Sequence, residues 1–342
     1  MESFSKKLLE WYNPKLRNLP WKNTKDAYKI WLSEIILQQT RVEQGTPYYL
    51  AFIKKYPKIN LLANAPLDEV LKLWEGLGYY SRARNLHASA QQVLHEHKGN
   101  FPKSYEELKK IKGIGNYTAA AIASFAYGLP HAVVDGNVYR VLSRVYGIFT
   151  PIDTNQGKKQ FETIAQKLLD KKNPSVYNQA IMDFGSLVCK PKNPLCKACP
   201  FQDECQALAM QKIGELPVKS KKTSMQKREF YFFVYKNKGY TYIVQRDQQD
   251  IWKGLYEFPF VEIKSEKDKS RFKKLKPVYT DKQQLSHQII HADFFEIEEK
   301  TKLMQFFPDI LQFKKIKITT LENYAFPKII RNYLQQAKLF LS

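Results

Sequence analysis

Apolar residues recur every three or four positions through the first part of the chain, which is the spacing of amphipathic helices. The pattern is clear over residues 4–12 and 28–40, and helical patterns continue to about residue 209. A helix of small residues is expected over 117–127, where Gly128-Leu129-Pro130 would end it. These patterns predict a mainly α-helical N-terminal region.

The pattern changes further along the chain. Residues 230–235 and 240–244 are rich in aromatic and β-branched side chains around an Asn-Lys-Gly turn, which predicts a β-hairpin. The remaining elements expected here are strands over 255–263 and 285–296, a surface loop or helix over 264–276 and a closing helix over 326–341.

The length agrees with more than one domain, since 342 residues exceed the size to which one hydrophobic core usually grows. The sequence predicts a helical region over 1–209, a lysine-rich linker over 210–228 and a smaller α+β domain over 229–342. Lysine and arginine total 55 against 33 acidic residues, a formal net charge of +22, and 14% of residues are aromatic. This balance favours a nucleic acid partner over a merely solvated basic face.

The ends and the apolar runs of the sequence bear on its location. The N-terminus has no long apolar stretch behind a basic start, so no secretory signal is expected. The longest uncharged run, residues 118–134, is short for a membrane span and contains glycine and proline. We therefore expect a cytoplasmic protein without a membrane partner, associated with the nucleoid through DNA if it is bacterial. We also expect it to act as a monomer.

Two Gly-x-Gly turns indicate contact with DNA. Gly113 and Gly115 lie between two helical patterns, where backbone N–H groups can approach a phosphate at the start of the next helix. This is the pattern of a helix-hairpin-helix, although both glycines could simply end a helix. The turn at 76–78 precedes Tyr79 and two arginines, so that an aromatic ring could either wedge into a base stack or pack in the core.

Two carboxylates accompany these elements. Glu34 shares a helical face with Ile30 and Trp31, and a carboxyl group among apolar side chains has a raised pKa and can serve as a general acid near neutral pH. The alternative is a rim glutamate that extends to solvent. Asp135 precedes a helix that begins near Asn137, so it is either an ordinary N-cap or a carboxylate close to a bound DNA backbone. Their combination with the hairpin favours DNA chemistry.

The four cysteines fall within one short segment, at Cys189, Cys196, Cys199 and Cys205. A disulfide framework would scatter them through a small secreted fold. Four thiolates at this spacing can instead bind tetrahedral zinc or a 4Fe-4S cluster, most simply in a structural role.

Together these features resemble the adenine DNA glycosylases of MutY type, within the helix-hairpin-helix glycosylase superfamily. The resemblance covers nearly the whole chain. It is carried by LPW at 19–21, WLSEIILQQTRV at 31–42, LWEGLGYYSRARNLH at 73–87, GIGNYTAAAI at 113–122, VVDGNVYRVLSR at 133–144 and the cysteine spacing. It implies excision of adenine mispaired with 8-oxoguanine in double-stranded DNA, and a 4Fe-4S cluster in preference to zinc.

The resemblance also implies catalytic roles. Glu34 would protonate the adenine, Asp135 would stabilise an oxocarbenium-like sugar, Tyr117 would hold Glu34, and Asn137 would order the site. Two carboxylates that divide the work in this way are typical of a retaining glycosidase.

Binding roles follow from the same resemblance. The flipped adenine would contact Arg17, Trp21, Leu37 and Asp183. Gln39, Thr40 and Tyr79 would contact the oxoguanine strand.

Some positions depart from the family pattern. Lys22 and Ala27 stand where arginine and proline are common, and a lysine cannot supply the planar fork of arginine, which leaves a contact between residue 22 and adenine open. The C-terminal domain resembles the Nudix-like oxoguanine-recognition module through GLYEFP at 254–259 and Leu285-Ser286-His287, where phenylalanine is usual first. The sequence has no glutamate-rich Nudix catalytic box, so this domain should recognise DNA through Ser286 and His287.

Three other functions fit less well. An endonuclease III-like bifunctional glycosylase uses a lysine amine to form a Schiff base, and Tyr117 occupies the matching position. A non-catalytic DNA-binding module leaves Glu34 on an apolar face unexplained. A Nudix hydrolase lacks its catalytic box.

Overall fold

The computed structural model describes residues 2–220, 225–247 and 250–339. Over this part of the chain, backbone packing separates two compact units. The first comprises Met1–Asn64 and Ala88–Lys222, and the second comprises Ala65–His87 and Thr223–Ser342. The first is helical and the second carries the β-sheets, which confirms the predicted fold class.

Helices account for the regular structure of the chain before residue 210. In chain order they are α1 (Glu2–Trp11), α2 (Ala27–Leu37), α3 (Val42–Lys55), α4 (Ile59–Ala63), α5 (Leu67–Leu73), α6 (Ser81–His97), α7 (Tyr105–Lys110), α8 (Asn116–Tyr127), α9 (Gly136–Val145), α10 (Asn155–Leu168), α11 (Pro174–Leu187) and α12 (Gln206–Ala209). The helices predicted over 4–12, 28–40 and 117–127 are thus confirmed as α1, α2 and α8. Across the described ranges, no helix combines the length and apolar content needed for a bilayer crossing.

Two close helix contacts set the centre of the first unit. α2 packs against α8, whose fully buried Ala119, Ala121 and Ala123 allow the two helices to approach. α2 is itself buried along most of its length, as expected for a helix so rich in apolar residues. α9 packs against α11, and a Cβ atom added to Gly185 of α11 would lie only 2.6 Å from the Cβ of Asn137. The glycine therefore lets the start of α9 lie directly on α11.

The second unit contains the following strands and further helices. They are β1 (Gln226–Tyr235), β2 (Tyr240–Gln245), β3 (Tyr256–Glu257), β4 (Phe260–Ile263), α13 (Glu266–Ser270), β5 (Tyr279–Gln284), β6 (Gln288–Ile297), α14 (Lys300–Phe306), β7 (Lys314–Lys317) and α15 (Lys328–Gln336). The strands form a four-stranded sheet in the order β4-β1-β6-β5 and a three-stranded sheet in the order β3-β2-β7. β1 and β6 are parallel, whereas the other pairs are antiparallel.

The predicted β-hairpin over 230–244 is wrong as a strand pairing. Both strands exist, but they belong to different sheets, and the isolated bridge between Asn237 and Tyr240 lies in the turn after β1. Phe230 and Phe233 are buried on opposite faces of β1, which lies between β4 and β6. Because both hydrogen-bonding edges of β1 are occupied, β2 pairs with β3 and β7 instead.

The strand predicted over 285–296 begins later than expected. β6 starts at Gln288, and the backbone N–H of Leu285 donates to the Gln288 carbonyl across a tight turn (2.8 Å). Ser286 and His287 therefore form the exposed tip of the β5–β6 hairpin and are not part of a strand.

Residues 65–87 belong to the second unit, although the division made from the sequence placed them in the helical region. Asp68 accepts hydrogen bonds from Gln245 (2.8 Å) and Tyr256 (2.9 Å). Glu75 accepts one from the backbone N–H of Phe326 (2.8 Å). These contacts join segments that are far apart in sequence, so they cannot be predicted from the local periodicity of apolar residues.

Candidate active site

One cavity in the first unit, about 600 Å³ in volume, collects most of the residues that the sequence singles out. The predicted site residues that line it are Arg17, Trp21, Glu34, Leu37, Gln39, Thr40, Tyr117, Asp135, Asn137 and Asp183. They come from α2, α8, α9 and α11, from the segments on both sides of α2, and from the N-cap of α9. The helical packing described above therefore brings together residues that are more than 160 positions apart.

Glu34 is a buried carboxyl group on α2, with 7% of its surface exposed. Burial raises its pKa to about 7, the nearby charge of Asp135 adds to this, and a hydrogen bond from the Tyr117 hydroxyl to Oε2 (2.6 Å) opposes it. Burial also holds the pKa of Tyr117 well above its usual value, so this hydroxyl remains a donor. The Glu34 carboxyl group can thus carry a proton near neutral pH and face a ligand in the cavity.

Asp135 is the N-cap of α9, and it also lines the cavity. Its Oδ1 accepts from the backbone N–H of Val138 (2.8 Å), and its Oδ2 accepts from the side-chain amide of Asn137 (2.7 Å). Burial raises the pKa of Asp135, whereas both hydrogen bonds favour the ionised form. The capping interpretation and the interpretation as a site residue are therefore compatible.

Arg140 orders Asn137 and was not identified from the sequence. Its Nη2 donates to Asn137 Oδ1 (2.8 Å) and to the Gly185 carbonyl (2.6 Å), while its Nε donates to the Cys189 carbonyl (2.7 Å). A chain of hydrogen bonds consequently runs from the cysteine segment through Arg140 and Asn137 to Asp135. An arginine on a helix gives no sequence signal for this role, since its partners become neighbours only in the fold.

The other end of the cavity carries a group of charges around Asp183, which is almost completely buried. Arg17 donates to Asp183 Oδ1 (3.1 Å), and the Lys22 ammonium group pairs with Oδ2. Burial lowers the pKa of Lys22. The Trp21 indole lies edge-on to Tyr49, with ring centroids 5.3 Å apart. The structure thus places Lys22 in the cavity wall, a position that the sequence left open.

The glycines of the hairpin lie outside this cavity. Gly113 has a φ of +77°, a conformation that favours glycine, and Ile114 between the two glycines is buried. Gly115 is the N-cap of α8, and a Cβ atom added there would meet nothing within 4 Å. Both glycines are exposed. Their backbone is accessible to a phosphate, as a helix-hairpin-helix requires.

Tyr79, Ser286 and His287 line a different cavity, of about 460 Å³, within the second unit. Tyr79 follows Gly76 (φ +100°) and Gly78 (φ +75°) and itself has a φ of +49°. Its side chain is 46% exposed, so packing in the core does not explain it. Its hydroxyl forms a hydrogen bond with Ser286 Oγ.

All four cysteines line one small cavity with apolar walls, which include Val145, Phe184 and Leu195. The buried Arg144 guanidinium donates to Cys189 Sγ (3.5 Å). Burial raises the pKa of Cys189 and Cys205, and that of Cys199 to about 11, while Arg144 opposes the shift at Cys189. Within the described ranges, no three histidine, cysteine, aspartate or glutamate side chains are arranged to hold a single metal ion. Four thiols around one small cavity are a ligand set that zinc and a 4Fe-4S cluster both accept.

Comparisons with known proteins agree with this architecture. Residues 32–171 match the HhH-GPD superfamily of base excision DNA repair proteins, and residues 230–336 match the NUDIX domain. An adenine DNA glycosylase of Buchnera aphidicola subsp. Baizongia pistaciae (strain Bp) is 38% identical over 302 residues, which cover 85% of this chain and 84% of that protein. An adenine DNA glycosylase of Mus musculus is 42% identical over 223 residues, 63% of this chain and 43% of the relative. The solved structure of a thermostable thymine-DNA glycosylase aligns with a TM-score of 0.57 at 28% identity, covering 61% of this chain and 96% of its own.

The helical fold with its exposed hairpin and the first of these matches define a base excision repair DNA glycosylase of the helix-hairpin-helix class. The Buchnera relative narrows the class further, since the similarity extends over most of both chains and includes the second unit. The chain belongs to the adenine DNA glycosylase family, as the sequence motifs predicted.

Proposed function

We propose that this protein removes adenine mispaired with 8-oxoguanine, or with guanine, from double-stranded DNA by acid-assisted hydrolysis of the N-glycosidic bond. The observation that carries the proposal is the position of Glu34, a buried carboxyl group that shares one cavity with Asp135 and is held by Tyr117. Adenine as the excised base agrees with the names of the relatives. A cavity of about 600 Å³ lies within the usual range for small ligands, so a nucleotide turned out of the duplex can enter it.

The two carboxylates divide the chemistry. Adenine leaves as a neutral base only if its ring gains a proton, and Glu34, with a pKa of about 7, holds one at neutral pH. As the bond to the base breaks, positive charge develops on the sugar, and the ionised Asp135 stabilises it from a position fixed by Val138 and Asn137. Water then adds at the sugar carbon that the base has left, and the proton that this water loses returns to the Glu34 carboxylate, which gave one to the base.

The state of the lysine in the cavity favours hydrolysis without strand cleavage. A bifunctional glycosylase needs an unprotonated lysine beside the sugar. Of the described residues that line the cavity, Lys22 is the only lysine, and its ammonium group pairs with the buried Asp183. Tyr117, at the position where such an enzyme carries its lysine, is engaged with Glu34. We therefore propose that the enzyme is monofunctional and does not cleave the DNA strand.

Cys189, Cys196, Cys199 and Cys205 would hold a 4Fe-4S cluster, which uses four cysteine thiolates. Bound there, the cluster would act as a structural cross-link of the segment that carries the four ligands. Arg144 fastens the same segment, since it donates to the carbonyls of Lys190 (2.7 Å) and Pro191 (3.2 Å).

The DNA contacts are shared among several elements. We assign phosphate binding to Gly113 and Gly115, and contact with the lesion strand to Gln39 and Thr40 of the first unit. In the second unit, Tyr79, Ser286 and His287 would contact the lesion. The net charge of +22 suits a duplex. The same proposal includes action as a monomer and a division along the sequence into a helical region over 1–209, a linker over 210–228 and a Nudix-like domain over 229–342, with residues 65–87 of the helical region packed in the second unit.

Single-turnover excision assays test the assignment of Glu34. Glu34→Gln keeps the shape of the side chain but cannot donate an acidic proton, so we expect mispair binding to persist and excision to slow by about 100- to 10,000-fold. Glu43→Gln is the matched control, because Glu43 lines the same cavity but is exposed. Borohydride added to the wild-type reaction should trap no covalent adduct. Near-normal excision by Glu34→Gln would refute the assignment.

A further inference from the structure

The segment that leads to Asp135 joins α8 to α9 without regular structure. Residues 128–135 form neither helix nor strand, and the strands of the described chain all lie between residues 226 and 317, in the second unit. Backbone N–H and C=O groups that are buried without a partner cost free energy. Side chains of the first unit are therefore the natural source of partners for this segment.

Asn178 of α11 is a fully buried amide that bonds the segment. Its Oδ1 accepts from the backbone N–H of Val133 (3.1 Å), and its Nδ2 donates to the His131 carbonyl (2.9 Å) and to Ser124 Oγ of α8 (2.8 Å). A backbone N–H can only donate and a carbonyl can only accept, so these partners fix the orientation of the amide. Asn178 thus joins two residues of the segment to α8 and α11.

Gln166 of α10 bonds the segment through a second amide, which is half-buried. Its Oε1 accepts from the backbone N–H of Ala132 (3.0 Å), and its Nε2 donates to the Pro130 carbonyl (2.7 Å). Each of the two amides therefore bonds one carbonyl and the N–H two residues later, as a residue of a parallel neighbouring strand does. Together they bond one backbone group of each residue from 130 to 133.

These bonds end two residues before Asp135. The backbone angles of Asp135 are extended (φ −94°, ψ −177°), so the chain before it contributes to its position together with α9 after it. Val134 and Asp135 both line the cavity of the candidate active site. The backbone that the two amides hold is thus continuous with the wall that presents the carboxylate.

We propose that Gln166 and Asn178 are positioning residues, which hold the backbone over 130–133 and thereby set the place of the Asp135 carboxylate in the cavity. A carboxylate that meets a developing positive charge acts from one place, since a displacement of about 1 Å can cost about 100-fold in rate. This inference rests on the proposed role of Asp135 and adds the residues that position it.

Binding of two abasic-site analogues opposite 8-oxoguanine tests the proposal. One duplex carries a pyrrolidine, whose ring nitrogen is positively charged at neutral pH and so imitates the sugar cation. The other carries the neutral tetrahydrofuran. The ratio of their dissociation constants measures how well the charge of Asp135 meets a positive charge, whereas tetrahydrofuran alone measures general binding. The wild-type protein should bind the pyrrolidine duplex more tightly.

Three variants are compared with the wild-type protein. Gln166→Leu removes both hydrogen bonds at a half-buried position, and it should lower the preference for pyrrolidine about 3- to 10-fold while tetrahydrofuran binding stays within about twofold of wild type. Asn178→Leu should lower the preference further, and Gln166→Leu decides the question if this fully buried change prevents folding. Gln160→Leu makes the same change at an exposed position of α10 and should behave as wild type.

Two results would overturn the proposal. Gln166→Leu could keep the binding ratio of Gln160→Leu, or it could weaken the binding of both duplexes by the same factor, as a role in folding alone predicts. A wild-type protein without preference for pyrrolidine would instead overturn the proposed role of Asp135 itself, together with its positioning by the two amides. The wild-type ratio therefore distinguishes the two failures.

Discussion

The buried Glu34 carboxyl group should make the stability of the first unit depend on pH. Burial is the main cause that raises its pKa from 4.5 to about 7. Between these values the unfolded chain has lost a proton that the folded chain keeps, so the free energy of unfolding falls as the pH rises from about 4.5 to about 7. The contribution is fully present below the lower value and absent above the higher one.

The size of the effect follows from the two pKa values. The difference between 4.5 and about 7 corresponds to about 3 kcal/mol over the whole range. Between pH 5 and pH 8 the expected loss is about 2.5 kcal/mol, because part of the titration lies outside this window. Glu34 is only 7% exposed, so screening by solvent reduces the figure little. Glu34→Gln replaces the ionisable group by a neutral amide and removes this loss.

Unfolding curves of the wild-type protein and Glu34→Gln at pH 5 and pH 8 measure the difference. At pH 5 the two proteins should be close, apart from about 0.5–1.5 kcal/mol for the altered hydrogen bond with Tyr117. At pH 8 the variant should have gained about 2.5 kcal/mol relative to wild type, which is about 5–10 °C in midpoint temperature for a unit of this size. Glu43→Gln, an exposed change that leaves Glu34 in place, should differ from wild type by the same small amount at both pH values. An equal difference between Glu34→Gln and wild type at both pH values would show that Glu34 is not held in its neutral form by burial.

Two other outcomes test the supports of the site. Gly185→Ala should slow single-turnover excision by about 100-fold. The new Cβ would lie 2.6 Å from the Cβ of Asn137 and displace the side-chain amide that donates a hydrogen bond to Asp135. Gly214→Ala is the control, because a Cβ atom added at Gly214 meets nothing within 4 Å. Metal analysis of anaerobically purified wild-type protein should find about four iron atoms per chain, and Cys199→Ser should lower this content. Wild-type protein that holds stoichiometric zinc and no iron would contradict the cluster.

The elements that the sequence predicts best are those with a local cause. α2 and α8 follow from runs of apolar and small residues, and the start of α9 follows from Asp135, whose side chain caps it. The apolar neighbours of Glu34 on α2 left two outcomes open, a buried carboxyl group and a rim glutamate that extends to solvent, and the structure shows the buried one.

What the sequence does not show depends on contacts between distant segments. The hairpin expected at 230–244 has the local sequence features of a hairpin. However, both edges of β1 are hydrogen-bonded to other strands, β4 and β6, and β6 lies more than fifty residues after β1 in the sequence. The sequence of residues 65–87 has the same helical pattern as the segments around it. Its place in the second unit is evident only from the hydrogen bonds that Asp68 and Glu75 accept from residues 245 and 326. Lys22 likewise enters the cavity wall because Asp183 of α11 attracts it.

Asp135 shows why a structural role and a chemical role should not be weighed as alternatives. An N-cap uses one carboxylate oxygen for a backbone N–H, here that of Val138, and this bond fixes the plane of the carboxylate. The position of the second oxygen is then fixed as well, and it accepts a hydrogen bond from the side-chain amide of Asn137, which Arg140 holds in turn. A carboxylate that must meet a developing positive charge gains from such fixation, since it need not reorient as the bond breaks. The helix start is therefore the means by which the chain places a charge in the cavity, and the sequence signal for a cap is equally a signal for the site.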